Sequence, residues 1–147
     1  METGDRRPEM AERRHEGWEE DSGFHQEGPA KTFQDLRVWQ KAHEFVLLAY
    51  RLAALFPKHE LFALGSQFRR AAVSVPANIA EGCGRATDAD FARFLDVASG
   101  SASEVEYHLL LARDLQFLPP NEHLLLTANV CEVKRMLASF LKCLRRA

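Results

Sequence analysis

From Thr32 onward, apolar residues return every three or four positions, and the recurrence is interrupted only around prolines and glycines. Leu36, Trp39, Ala42, Val46, Ala49, Leu52, Ala53 and Phe56 open the series. That spacing lays one apolar stripe along a helix, and a strand would need alternation instead. The spacing predicts a first helix from about Phe33 to Phe56. Thr32 with Asp35 three residues on forms a capping box with Asp in place of Glu, and Pro57 stops the helix. A second helix is predicted over about Glu60 to Glu81, with Leu64, Phe68, Ala71, Ala72, Val75 and Ile79 on its apolar face. Pro76 falls inside it, where the missing N–H and the ring should produce a kink, and Gly82 and Gly84 end it.

Thr87 is a good N-cap for a third helix from about Asp88 to Gln116, since Asp88 and Asp90 fall in its positively polarised first turn. Phe91, Phe94, Leu95, Ala98, Val105, Leu109 and Ala112 form its apolar face. At 1.5 Å per residue it is about 43 Å long. Pro119 and Pro120 break the chain, and Pro120 suits the first position of a fourth helix reaching about Arg146. Leu124, Leu125, Val130, Val133, Leu137, Phe140, Leu141 and Leu144 are its expected inward residues. Four helices joined by turns of a few residues pack most simply as an all-α, antiparallel up-down-up-down four-helix bundle. Residues 31–147 form that bundle domain.

The first 30 residues differ in kind. They hold nine acids against four arginines, which leaves 12 of the chain's 21 acids and 15 of its 19 bases for the rest: net −5 and net +3. With Trp18 and Phe24 as the only aromatic residues there, this stretch cannot bury enough surface to offset its ordering entropy, and it reads as a disordered acidic tail. Cys83, Cys131 and Cys143 are odd in number and widely spaced, so they read as reduced thiols and not as a disulfide framework. No apolar run approaches the roughly 18 residues that cross a bilayer, and the N-terminus is too charged for a signal peptide. The expected location is the cytoplasm, away from any membrane.

The second helix carries a polar stripe opposite its apolar face: Gln67, Arg70, Ser74, Asn78 and Glu81, continued by Arg85 beyond the glycines and flanked by Arg69. A freely solvated helix face shows interchangeable Lys and Glu, so this mixture of amides, a hydroxyl and opposite charges calls for a specific environment. Two readings stand. One is a polar groove in which Arg69, Arg70 and Arg85 offer planar guanidinium forks to phosphate or to a partner helix. The other is a hydrogen-bonded network inside the bundle or at a subunit interface, with Arg70, Arg85, Glu81 and Glu104 paired as ions. In the third helix, Ser99, Gly100, Ser101, Ala102 and Ser103 form a run of small residues, which suggests that another backbone approaches closely there, with a flexible hinge as the alternative.

Catalytic and cofactor chemistry finds no support. None of the six histidines forms an HExxH-like pair, no two cysteines have zinc spacing, and no phosphate-binding or nucleophile-elbow motif occurs. Gly82-Cys83-Gly84 lacks the preceding strand that a phosphate cradle needs and is more simply a helix stop. The reading is a non-enzyme with no cofactor, no metal and no small-molecule substrate.

Phe33–Phe45 (FQDLRVWQKAHEF), Leu61–Arg85 (LFALGSQFRRAAVSVPANIAEGCGR) and Phe91–Glu106 (FARFLDVASGSASEVE) resemble the four-helix bundle proteins first noticed as reading frames within bacterial 23S rRNA intervening sequences. The resemblance covers about Phe33 to Ala147. It implies an antiparallel bundle assembling into a homopentameric ring, and the function expected of such an assembly without catalytic groups is that of a scaffold or adaptor. The family also includes the accessory variability protein of diversity-generating retroelements, which binds a reverse transcriptase and nucleic acid. Itself, RNA or DNA, and a reverse transcriptase are therefore the implied partners. Gln67, Arg69, Arg70, Ser74, Pro76, Asn78, Glu81, Gly82, Arg85, Gly100, Ser101 and Glu104 match the family's signature positions. The chain departs from the pattern at Ala102, where a larger apolar residue is usual, and in charge, because the retroelement proteins are strongly basic.

Overall fold

The computed structural model describes residues 32–146; the acidic stretch expected to be disordered lies outside the described residues. Four helices make up the fold: α1 (Arg37–Ala53), α2 (Leu64–Cys83), α3 (Asp88–Asp114) and α4 (Pro120–Arg146). Each packs on its neighbours in sequence, and α1 closes the square against α4. The short connections make the order up-down-up-down. No strand occurs among the described residues, and none of their helices is long and apolar enough to cross a membrane.

The first two helices begin later than their periodicity predicts, for local reasons. The capping box at Thr32 forms as expected: its hydroxyl accepts from Gln34 N–H and the Asp35 carboxylate accepts from Thr32 N–H. It caps a single 3₁₀ turn, Phe33–Asp35, and not α1 itself. Leu36 then turns extended and buries its side chain, so the apolar spacing continues through a residue that is not helical. A second 3₁₀ turn, Lys58–Glu60, follows Pro57. The Glu60 carboxylate reaches forward to accept the Leu64 N–H at 3.3 Å, which supplies an orphan donor at the start of α2 with a partner.

α2 runs through Pro76 and through Gly82 without interruption and stops at Gly84. Gly82 is thus not a helix stop. A Cβ there would lie 2.8 Å from Phe94 Cβ and 3.1 Å from Phe91 Cδ1, so glycine is what lets α2 and α3 touch. Thr87 caps α3 by accepting from Asp90 N–H at 3.2 Å. α3 ends in a Schellman motif, with Phe117 N–H on Ala112 C=O at 2.8 Å and Gln116 N–H on Arg113 C=O at 3.0 Å. Gln116 takes the left-handed position of that motif, φ 60°, where glycine is usual.

The core is a single layer of apolar side chains down the centre, with Phe45, Phe68, Phe91, Ile79, Leu95, Leu109, Leu126 and Leu137 among those removed from solvent. In α4 the inward phase is Leu126, Val130, Val133, Leu137, Phe140, Leu141 and Leu144. Leu124 and Leu125, expected to point inward, are exposed because they precede this phase. Phe94 is likewise only half buried. Two guanidinium groups lie over its ring, with the Cζ atoms of Arg85 and Arg93 each 4.7 Å from its centroid.

Candidate interaction surface

The stripe on α2 divides into three parts. Its centre is a hydrogen-bonded seam between helices. Ser74 Oγ and Ser101 Oγ lie 2.7 Å apart across the α2–α3 contact, and Asn78 Nδ2 donates to Ser74 C=O at 2.7 Å and to Ser74 Oγ at 3.0 Å. All three residues are half buried. Small polar side chains serve here because a larger one would separate the helices, and a hydrogen bond offsets the desolvation of each hydroxyl.

At the lower end, Glu81 and Arg85 form an i, i+4 ion pair at 3.0 Å, and Arg85 also covers the Phe94 ring. At the upper end, Gln67 and Arg70 are exposed, and their side chains form no hydrogen bond or ion pair among the described residues. Arg69 takes a different course. It turns back, donates from Nη2 to Leu61 C=O at 3.0 Å and lies 5.9 Å over the Tyr50 ring, so it ties the 61–63 turn to α2.

The four-member ion network of Arg70, Arg85, Glu81 and Glu104 does not form within the chain. Glu104 instead approaches His108, 3.8 Å from Nε2 and one helical turn away. His108 is only 4% exposed, the one buried polar or charged residue of the described chain. Burial disfavours its charged form and lowers its pKa, and the Glu104 carboxylate acts weakly in the opposite direction. Its buried Nδ1 has no hydrogen-bond partner among the described residues. His108 matches no metal-ligand spacing, so no motif marks it in the sequence. Its signal was there: it shares the apolar spacing of Val105, Leu109 and Ala112.

The run of small residues in α3 separates by side. Ala102 is fully buried and Ser101 joins the seam, but Gly100 is exposed, and a Cβ built on it would meet nothing within 4 Å. The close backbone approach expected at Gly100 therefore does not come from the described residues. Around Gly100 the α2–α3 face exposes Val73, Val97 and Tyr107 together with Arg70 and Glu104.

A separate groove of about 760 Å³ at the α3–α4 turn, walled by Phe117, Leu118, Pro119, Pro120 and Leu124, shares no residue with this face. No group of three or more His, Cys, Asp or Glu side chains among the described residues is placed to hold a metal ion.

Fold and face together define a four-helix-bundle protein whose polar signature residues divide between the α2–α3 seam and the exposed surface beside it, with none in the groove at the α3–α4 turn. The chain belongs to the 23S rRNA-intervening sequence protein family, whose sequence pattern matches residues 34–139. Its backbone is similar to the solved structure of a protein of unknown function from the S23 ribosomal protein family of Bacteroides thetaiotaomicron. That similarity has a TM-score of 0.67 at 26% identity and covers 71% of this chain and 95% of the other. No curated protein matches the chain.

Proposed function

We propose that this chain is a non-catalytic scaffold or adaptor that works by self-assembly, and that copies meet through the α2–α3 face. The observation that carries this reading is Gly100. Glycine in the middle of a helix costs about 1 kcal/mol relative to alanine, and among the described residues of one protomer nothing near Gly100 requires it. A second chain packed on this face would. The surroundings fit: Val73, Val97 and Tyr107 supply exposed apolar and aromatic area, and Arg70 is the residue type enriched in interface cores. A homopentameric ring is the assembly that the resemblance implies. Ring closure requires two different patches of each chain to meet, so the α2–α3 face would supply one of the two.

Light scattering behind size exclusion on the full chain tests this. The wild type is expected at a multiple of its 16.7 kDa mass, five-fold for the ring. Gly100→Gln is expected to fall to the monomer with its helical circular dichroism intact, because the substitution meets open space inside the protomer. A monomeric wild type, or a variant that keeps the wild-type size, would overturn the reading.

A second reading, nucleic-acid binding in an accessory role beside a reverse transcriptase, is favoured by a different surface. Residues 131–147 hold five bases against one acid. Adding a structured RNA to the same experiment at low and physiological salt tests it, since phosphate contacts weaken steeply as salt rises.

A further inference from the structure

The positive charge of the bundle is concentrated at one place. Lys134, Arg135, Lys142, Arg145 and Arg146 against Glu132 give the last 17 residues a net charge of +4, while residues 31–130 are net −1. Lys134 is neutralised by Glu106 and Arg145 by Asp96, both on α3. Arg135 and Lys142, seven positions apart and so on one side of α4, are without an ion pair among the described residues, and both are exposed. Among the described residues, Arg135 and Lys142 therefore face outward with no counter-charge.

The fold also fixes which end of the bundle the preceding chain joins. α1 and α4 are adjacent and antiparallel, and the Lys41–Glu132 pair at 3.7 Å sets their register. From that pair α1 extends back to Arg37, about 6 Å along its axis, while α4 continues to Arg146, about 21 Å. The last turns of α4 thus run past the first turn of α1. The chain joins the bundle at that end through the 3₁₀ turn Phe33–Asp35, which packs on α1 and α2. This preceding segment, residues 1–30, is net −5, and its densest acidic cluster is Glu16, Glu19, Glu20 and Asp21 around Trp18. The residues between Asp21 and Thr32 span up to about 35 Å when extended, enough to bring the cluster to Lys142 or Arg135.

We infer that the acidic N-terminal segment docks on the basic end of its own chain's α4, covering Arg135 and Lys142, and that an external polyanion reaches this surface only by displacing it. Exposed ion pairs are individually weak, ~0.2–1 kcal/mol each, so untethered peptide would bind poorly. Tethering changes this, because a link of about ten residues holds the segment at an effective concentration on the order of millimolar. The contact is salt-labile, since screening acts within about 8 Å at physiological ionic strength. It stands whether or not nucleic acid proves to be the external ligand.

The test uses the full chain and limiting acetylation of lysine amines read by mass spectrometry, with Lys58, exposed at the opposite end of the bundle, as the internal reference. At low salt Lys142 should label about twofold more slowly relative to Lys58 than at high salt, as half-occupancy by a tethered segment of millimolar affinity gives. The variant E16Q/E19Q/E20Q/D21N, with its changes outside the bundle, should abolish that difference and increase retention on heparin. Carbodiimide coupling of a mixture of ¹⁵N- and ¹⁴N-labelled chains should join tail carboxylates to Lys142 within one chain. A Lys142 rate indifferent to the tail substitutions overturns the inference, and so do cross-links formed only between chains.

Discussion

At the residue scale, His108 is the most consequential side chain that the bundle encloses. Its folded-state pKa is lowered by burial, whereas in the unfolded chain it titrates near 6.5. Between those two values the unfolded state binds a proton that the folded state refuses, so stability rises with pH across that window. Above pH 6.5 the penalty is absent; below it the penalty grows until the folded form is protonated as well. Urea midpoints from pH 8 down to pH 5 should therefore fall more steeply for the wild type than for His108→Gln. Parallel curves would show that His108 titrates alike in both states. The same scale explains why two glycines alike in sequence have different roles: Gly82 is pressed against Phe94 and Phe91, and Gly100 faces open space.

At the element scale, caps and turns decide where the helices begin and end. Thr87, Asp88 and Asp90 behave as their residue types predict because N-capping is satisfied within one turn. The starts of α1 and α2 do not follow periodicity because Leu36 keeps the apolar spacing while extended, and Glu60 caps α2 from four residues upstream. The end of α3 carries a cost that the turn itself makes visible. Gln116 holds φ 60°, a conformation that penalises any side chain with a Cβ. Gln116→Gly should stabilise the protein by roughly 0.5–1 kcal/mol, the relief of left-handed strain less the entropy that glycine gains in the unfolded chain. Thermal unfolding followed by circular dichroism gives the sign; a lower midpoint would mean that the glutamine side chain supplies a compensating contact.

At the scale of the whole molecule, four amphipathic helices meet around one apolar layer, and its bottom is fastened by aromatic contacts. Phe91 lies against Gly82 and 5.3 Å from Phe140, joining α2, α3 and α4 in one place. Phe91→Ala should cost about 3–5 kcal/mol, the usual range for emptying a core aromatic site. By contrast Asp96→Ala, which removes the exposed partner of Arg145, should cost no more than about 1 kcal/mol. Chemical denaturation of the two variants side by side checks the contrast, and equal losses would contradict a core-dominated bundle.

The sequence by itself determined the all-α class, the number and order of the helices and the family, because apolar periodicity, proline and glycine punctuation and N-caps all act within a turn or two of chain. It also marked the α2 stripe as unusual. Only the tertiary structure decided what each member of that stripe does. Ser74 meets Ser101 27 positions away, Arg69 turns back to the Leu61 carbonyl, Arg85 covers Phe94, and Arg70 stays exposed. The inward phase of α4, which excludes Leu124 and Leu125, was also set by packing against neighbours. The physical reason is one of range. Backbone hydrogen bonding and helix amphipathicity are local, whereas burial, desolvation and ion pairing depend on which helix lies opposite, and that is fixed only when the bundle closes.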